Sequence, residues 1–109
     1  MANISFEDFK KMDLRVGQIL EAEDIAGADK IYKLKVDIGE PREVVAGIKP
    51  YYSKESLKGK KVAVLANMEP RTIKGIESKG MILAAVSEDR SKLTMLTFDS
   101  DIPNGTKIS

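Results

Sequence analysis

The chain contains neither cysteine nor histidine. That removes disulfides, thiolate nucleophiles, zinc sites with Cys or His ligands, and any Ser-His-Asp arrangement. Carboxylate chemistry is what remains. Asp99 and Asp101 are the closest acidic pair near the C-terminus, but Ser100, Pro103, Asn104 and Gly105 around them read as a solvated turn. No residue is therefore expected to be catalytic or to ligate a metal, and no cofactor is expected. Long hydrophobic runs are also missing, the longest falling far short of the ~20 residues of a membrane span. The first eleven residues have two lysines but no apolar segment of the kind a secretory signal needs. These absences predict a cytoplasmic protein with no membrane partner. Aromatics are few, three Phe and three Tyr, so no more than one ring is expected to be free for stacking on a ligand.

What is present fits one domain over residues 1–109. A chain of this size buries roughly two-thirds of its unfolded surface, enough for one modest core. The net charge of +1 hides a strong asymmetry. Residues 1–29 carry three basic and seven acidic side chains, residues 30–79 twelve and six, and residues 80–109 three and four. The basic excess in the middle is the footprint expected of phosphate contacts. The competing reading is a solvated Lys/Glu surface.

The patterning is that of a small β protein. Ser5 and Asp8 have capping-box spacing, predicting a short helix over 5–11 with Phe6 and Phe9 on one face. Residues 14–23 read as a strand in which Gly17 resets the phase, a bulge signal. Tyr32, Leu34, Val36 and Ile38 alternate with Lys33, Lys35 and Asp37, a half-buried strand with a charged outer face. Residues 39–41 turn the chain into a returning strand over 42–48, a hairpin. Residues 49–58 predict a loop with a helical turn stopped by Gly59. A fourth strand spans 61–66, a fifth 81–86, and a further short one 93–98. The last apolar residue of the tail, Ile108, is placed to dock. No strand–helix alternation points to a parallel sheet, so the fold expected is all-β: a small curved barrel, best fitted by a five-stranded OB-fold with a short N-terminal helix and a C-terminal strand and turn extension. The strand count alone leaves an SH3-like barrel open.

The connection from residue 65 to 81 stands out. A hairpin needs only a few residues to turn, yet this one is long, polar and basic, with Asn67, Arg71, Lys74, Ser78 and Lys79 among Pro70, Gly75 and Gly80. It predicts a loop built to hold an anion or an exposed nucleotide. Residues 75–80 are not a phosphate-cradling P-loop, because Met81-Ile82 follows the second glycine instead of Lys-Ser/Thr. Gly75 and Gly80 are expected to supply backbone freedom at the two ends of the arm. Arg71 can stack on a base and grip phosphate, or form a surface ion pair. Asn67 can read a base edge, though local backbone bonding is the simpler role. Ser78 can donate to phosphate or cap the turn. Tyr51 and Tyr52 should face opposite ways, one packing and one available. Met68, Met81 and Met95 are expected in the core or lining a pocket.

Three ordered segments carry a family resemblance: residues 6–19 (FEDFKKMDLRVGQI), residues 28–39 with 42–48 (ADKIYKLKVDIG and REVVAGI), and residues 59–62 with 65–81. Over about residues 4–108 the chain resembles the tRNA-binding domain found at the C-terminus of many methionyl-tRNA synthetases and as free-standing structure-specific tRNA-binding proteins. The resemblance implies an OB-fold homodimer that binds tRNA by shape, has no catalytic activity of its own, and adds tRNA affinity to a methionyl-tRNA synthetase catalytic chain. The matching positions imply tRNA contacts by Lys30, Arg42, Asn67, Met68, Arg71, Ser78 and Met81, with Lys33 and Lys74 as neighbouring phosphate contacts. Where the family often has His-Pro before the Ala-Asp-Lys segment, Ile25-Ala26-Gly27 stands here. A related branch on the same fold, a small dimeric export-associated chaperone, departs from the Asn-Met-x-Pro-Arg…Ser-x-Gly-Met pattern kept here and is the alternative reading. A dimerisation module with an incidental groove is a third. Met1 directly before the first segment favours an independent chain over a synthetase subunit or an excised domain.

Overall fold

A computed structural model describes residues 2–109. Helix α1 covers Phe6–Lys10, and strands β1 (Leu14–Asp24), β2 (Tyr32–Asp37) and β3 (Pro41–Ala46) follow. A second short helix, α2 (Lys54–Leu57), precedes β4 (Lys61–Leu65). Six short strands complete the chain: β5 (Arg71–Ile73), β6 (Ile76–Ser78), β7 (Met81–Ile82), β8 (Ala84–Val86), β9 (Leu93–Met95) and β10 (Lys107–Ile108).

The main sheet has the order β3-β2-β1-β4-β7, with β10 added beside β1 and every pairing antiparallel. β1 reaches both halves: its first residues, Leu14 to Gln18, pair with β4, and Gln18 to Asp24 pair with β2. The sheet thus bends back on itself, and β3 approaches the chain just before β7. There the gap is bridged by Lys79 N–H donating to the Glu43 carbonyl at 2.9 Å and Val45 N–H donating to Ser78 Oγ at 3.0 Å. This is the nearly closed five-stranded OB-type ring expected from the sequence.

The alternation of β2 is as predicted: Tyr32, Leu34, Val36 and Ile38 are buried, and Lys35 is exposed. They pack with Ile19, Val44, Ile48, Val62, Val64 and Ala66 into one core, closed below by Leu57, the buried residue of α2. Ser53 caps α2 by accepting from Ser56 N–H, and Gly59 follows the helix at φ +90°. At the N-terminus Ser5 caps α1 by accepting from Asp8 N–H at 3.1 Å, but Asp8 turns its carboxylate to Lys11, so only half of the capping box forms.

Three expectations are corrected. Gly17 is not the bulge: the register shift in β1 lies between Ile19 and Glu21, and Gly17 is in phase with Ile19. Its role is close packing, since a Cβ there would lie 2.8 Å from both Val36 Cγ1 and Val64 Cγ2. The predicted fifth strand, 81–86, is two strands, because Leu83 switches partners. Its N–H donates to the Ala63 carbonyl, and its carbonyl accepts from Leu96 N–H, so β7 stays with β4 while β8 pairs with β9. The 65–81 connection contains a hairpin, β5–β6, with Lys74 and Gly75 at its tip at φ +52° and +80°. Positive φ at both turn positions matches the twist of paired strands. Gly75 is therefore at the tip of the arm, and Gly80 is at its base.

The Gly17 geometry yields a stability prediction. Gly17→Ala should destabilise the fold by about 1–3 kcal/mol, as overpacking of a filled core does. In urea unfolding the midpoint should fall with an unchanged slope.

Candidate nucleic-acid interface

The arm begins at Asn67, two residues after β4. Its amide is engaged at both ends: Oδ1 accepts from Asp13 N–H at 2.9 Å, and Nδ2 donates to the Lys11 carbonyl at 2.7 Å. Asn67 thus ties the arm's root to the junction of α1 and β1. At the other end of the arm Ser78 is buried, 4% exposed, accepting from Val45 N–H and donating to the Gly80 carbonyl. Arg42, projecting from β3, donates to the Ala66 carbonyl at 2.7 Å and lies 3.8 Å from Glu40. Asn67, Ser78 and Arg42 therefore serve as braces in the free chain, through contacts between segments far apart in sequence.

Most of the remaining predicted residues face outward. Arg71, cross-strand partner of Ser78, is exposed, as are Lys74 at the arm's tip and Lys30 in the loop before β2. None of the three makes an ion pair among the described residues. Met81 is 36% exposed and Met68 half-buried, while Met95 is in the core. Lys33 is half-buried, with Glu23 and Glu43 carboxylates at 3.7 and 3.6 Å. Of the tyrosine pair, Tyr52 packs on the core and its hydroxyl accepts from Met95 N–H. Tyr51 is half-exposed, its hydroxyl donating to the Arg90 carbonyl at 2.8 Å.

Two kinds of groove flank the arm. On the β2–β3 side, Lys33, Arg42 and Lys79 alternate with Glu40, Glu43 and Glu77. The charged outer face of β2 is therefore compensated by carboxylates here. On the other side a groove runs between residues 45–48 and the strands β7 and β8, with Arg71 and Met81 at its edge and no carboxylate in its lining.

The carboxylates that shift do so downward, away from neutrality. Asp13 is lowered chiefly by its hydrogen bond from Arg15, whose own pKa rises in response. Asp24 is lowered by Lys54 and then Lys49, Asp101 by Lys61, and Asp89 by the backbone and hydroxyl of Ser91. These are groups holding their charge for ion pairs and turns, the opposite of a general acid or base tuned toward pH 7. Asp101 is claimed by Lys61 at 2.8 Å, which explains the acidic pair noted near the C-terminus.

Ser78 supplies a direct test of the brace. Ser78→Ala leaves the Val45 N–H buried without a partner, which costs about 1–3 kcal/mol. Thermal unfolding should shift accordingly, and amide exchange at Val45 should accelerate more than at Leu34.

A family model described as "Putative tRNA binding domain" matches residues 14–107. The methionine–tRNA ligase of Caldanaerobacter subterraneus subsp. tengcongensis is 51% identical over 97% of the chain, which spans only 16% of that relative. Among solved structures, a MetRS-related protein from Pyrococcus horikoshii matches with a TM-score of 0.93 and 34% identity, all of each chain being covered. The chaperone CsaA of Bacillus anthracis matches with a TM-score of 0.90 and 32% identity over 99% of this chain and all of the other.

Proposed function

The chain belongs to the tRNA-binding domain family, and we propose that it is a non-catalytic module that binds tRNA by shape and backbone, as a single domain over its whole length. The observation that carries the reading is the arm: a hairpin braced at its root and base, presenting Arg71 and Lys74 unpaired to solvent. Lys30 supplies a further exposed cation, and Met81 an apolar contact at the arm's base. Asn67, Ser78 and Arg42 contribute by holding this arrangement, and half-buried Met68 lies at the arm's root. In a longer protein the same domain would add tRNA affinity to a methionyl-tRNA synthetase catalytic chain, and either setting is cytoplasmic.

Because each phosphate contact releases counterions, affinity should fall steeply with salt. Filter binding of tRNA at several salt concentrations should give a linear log–log plot, and Arg71→Ala with Lys74→Ala should reduce its slope by about two, one per lost phosphate contact. Failure to bind tRNA at low salt, or equal affinity for any polyanion, overturns the reading. The likeness to chaperone CsaA favours one alternative, protection of unfolded clients. It prevails if the chain suppresses client aggregation while tRNA binding is absent.

The chain also acts as a homodimer in this reading. Ile4 and Phe6, 61% and 70% exposed, and Met12 form an apolar surface about α1, with Phe6 stacked on Phe9 at 6.4 Å. Ile108 is engaged within the chain, opposite Leu14, so of the two expected contacts α1 is the one left for a second copy. Sedimentation should show a dimer at micromolar concentration and a monomer for Phe6→Asp. A wild-type chain that is monomeric there excludes the dimer.

A further inference from the structure

The arm's carboxylate-free groove does not end at β8. Val86 and Leu93, cross-strand partners in the β8–β9 hairpin, also line a second groove that runs on to Pro50, Tyr51 and Lys92. The two cavities, of 310 and 770 Å³, are of the size that holds small-molecule and nucleotide ligands, about 300–1,000 Å³. Together they form one path with Arg71 at one end, an apolar step at Val86 and Leu93, and Tyr51 beside Lys92 at the other. Neither lining contains a carboxylate. The acidic residues of this hairpin, Glu88 and Asp89, sit in its turn outside both linings. Asp89 is occupied there by the Ser87 and Ser91 hydroxyls and the Ser91 N–H. The grooves over the outer face of β2 and β3, in contrast, include Glu21, Glu23, Glu40, Glu43 and Glu77.

We propose that exposed nucleotides of the bound RNA lie along this second path, and not across the outer face of β2 and β3. The inference rests on the tRNA-binding reading above and deepens it. Single-stranded RNA needs cations spaced for its phosphates and apolar or aromatic surface for its bases. Carboxylates beneath the chain would repel it. Tyr51 suits stacking because its hydroxyl is already fixed to the Arg90 carbonyl, so its ring loses little freedom on binding. Val86, 42% exposed, would be covered at the junction.

The test compares tRNA affinity of the full chain with that of four variants, each checked for folding by thermal unfolding and for mass by sedimentation. Val86→Glu places a carboxylate on the path and should weaken binding about tenfold or more, and Tyr51→Leu, which removes the ring together with its bond to the Arg90 carbonyl, about fivefold or more. Lys58→Glu makes twice the charge change of Val86→Glu outside both grooves and should cost less than about threefold. Lys35→Glu, on the β2–β3 face, should cost less than Val86→Glu. Wild-type affinity in folded Tyr51→Leu, or a larger loss for Lys35→Glu than for Val86→Glu, overturns this path and leaves the tRNA reading intact. A Val86→Glu chain that turns monomeric identifies the face as a contact between copies and overturns the path as well. A wild-type chain that does not bind tRNA removes both conclusions.

Discussion

The barrel turns on the absence of a side chain at residue 17. β1 belongs to two halves of the ring at once, paired to β4 before Gln18 and to β2 after it. At the crossing, Val36 of β2 and Val64 of β4 reach to within 2.8 Å of where a Cβ on Gly17 would stand. Core packing at crystal-like density has no room to absorb such an overlap. With hydrogen at that position the two valines close over β1, and the strand can curve between its partners. The β2–β3 hairpin on one side and β4 with its arm on the other then converge where Val45 and Glu43 meet Ser78 and Lys79.

That convergence explains how the arm divides its labour. Its polar groups of fixed geometry, the Asn67 amide and the Ser78 hydroxyl, are spent on backbone partners inside the molecule. Its flexible cations, Arg71 and Lys74, point outward. A buried hydroxyl that satisfies a backbone N–H holds a β-edge at low cost, whereas the same hydroxyl facing solvent competes with water. Long cationic side chains gain from the opposite placement, since a phosphate can approach them without desolvating a buried charge. Asn67 adds a second consequence. By holding both Lys11 and Asp13 it anchors the root of the arm and the end of α1 to the same point, so the proposed RNA surface and the proposed dimer surface share one support.

Legibility in the sequence followed the length of the pattern. β2 was plain because four core residues alternate with charged ones, and the cap at Ser5 and the stop at Gly59 were plain because capping is local. The hairpin within the arm was not, because β5 and β6 are three residues each, too short for a period to register. The break at Leu83 was hidden for a different reason: both halves are apolar, and only the change of partner from Ala63 to Leu96 distinguishes them. Among the site residues, Arg71 and Lys74 are exposed and unpaired as a binding role requires. Ser78 and Arg42 carry the right chemistry, but it faces inward. Tyr51 is one ring of an adjacent pair, yet nothing in its neighbourhood in the chain links it to Val86 or Lys92.

By itself the sequence determined the fold class, the core face of β2, the exclusion of His and Cys chemistry, and the segment from which an arm would project. All of these depend on composition or on residues within a few positions of one another. Tertiary structure alone decided which charges are free. Lys33 looks unpaired in its own strand, and only the pairing of β2 with β1 and β3 brings Glu23 and Glu43 to within 3.7 and 3.6 Å of it. It also decided that the arm's outer groove continues to Tyr51 without meeting a carboxylate. Electrostatic neighbourhood is set by distance through space, and in a closed barrel the nearest charges come from strands that the chain order keeps apart.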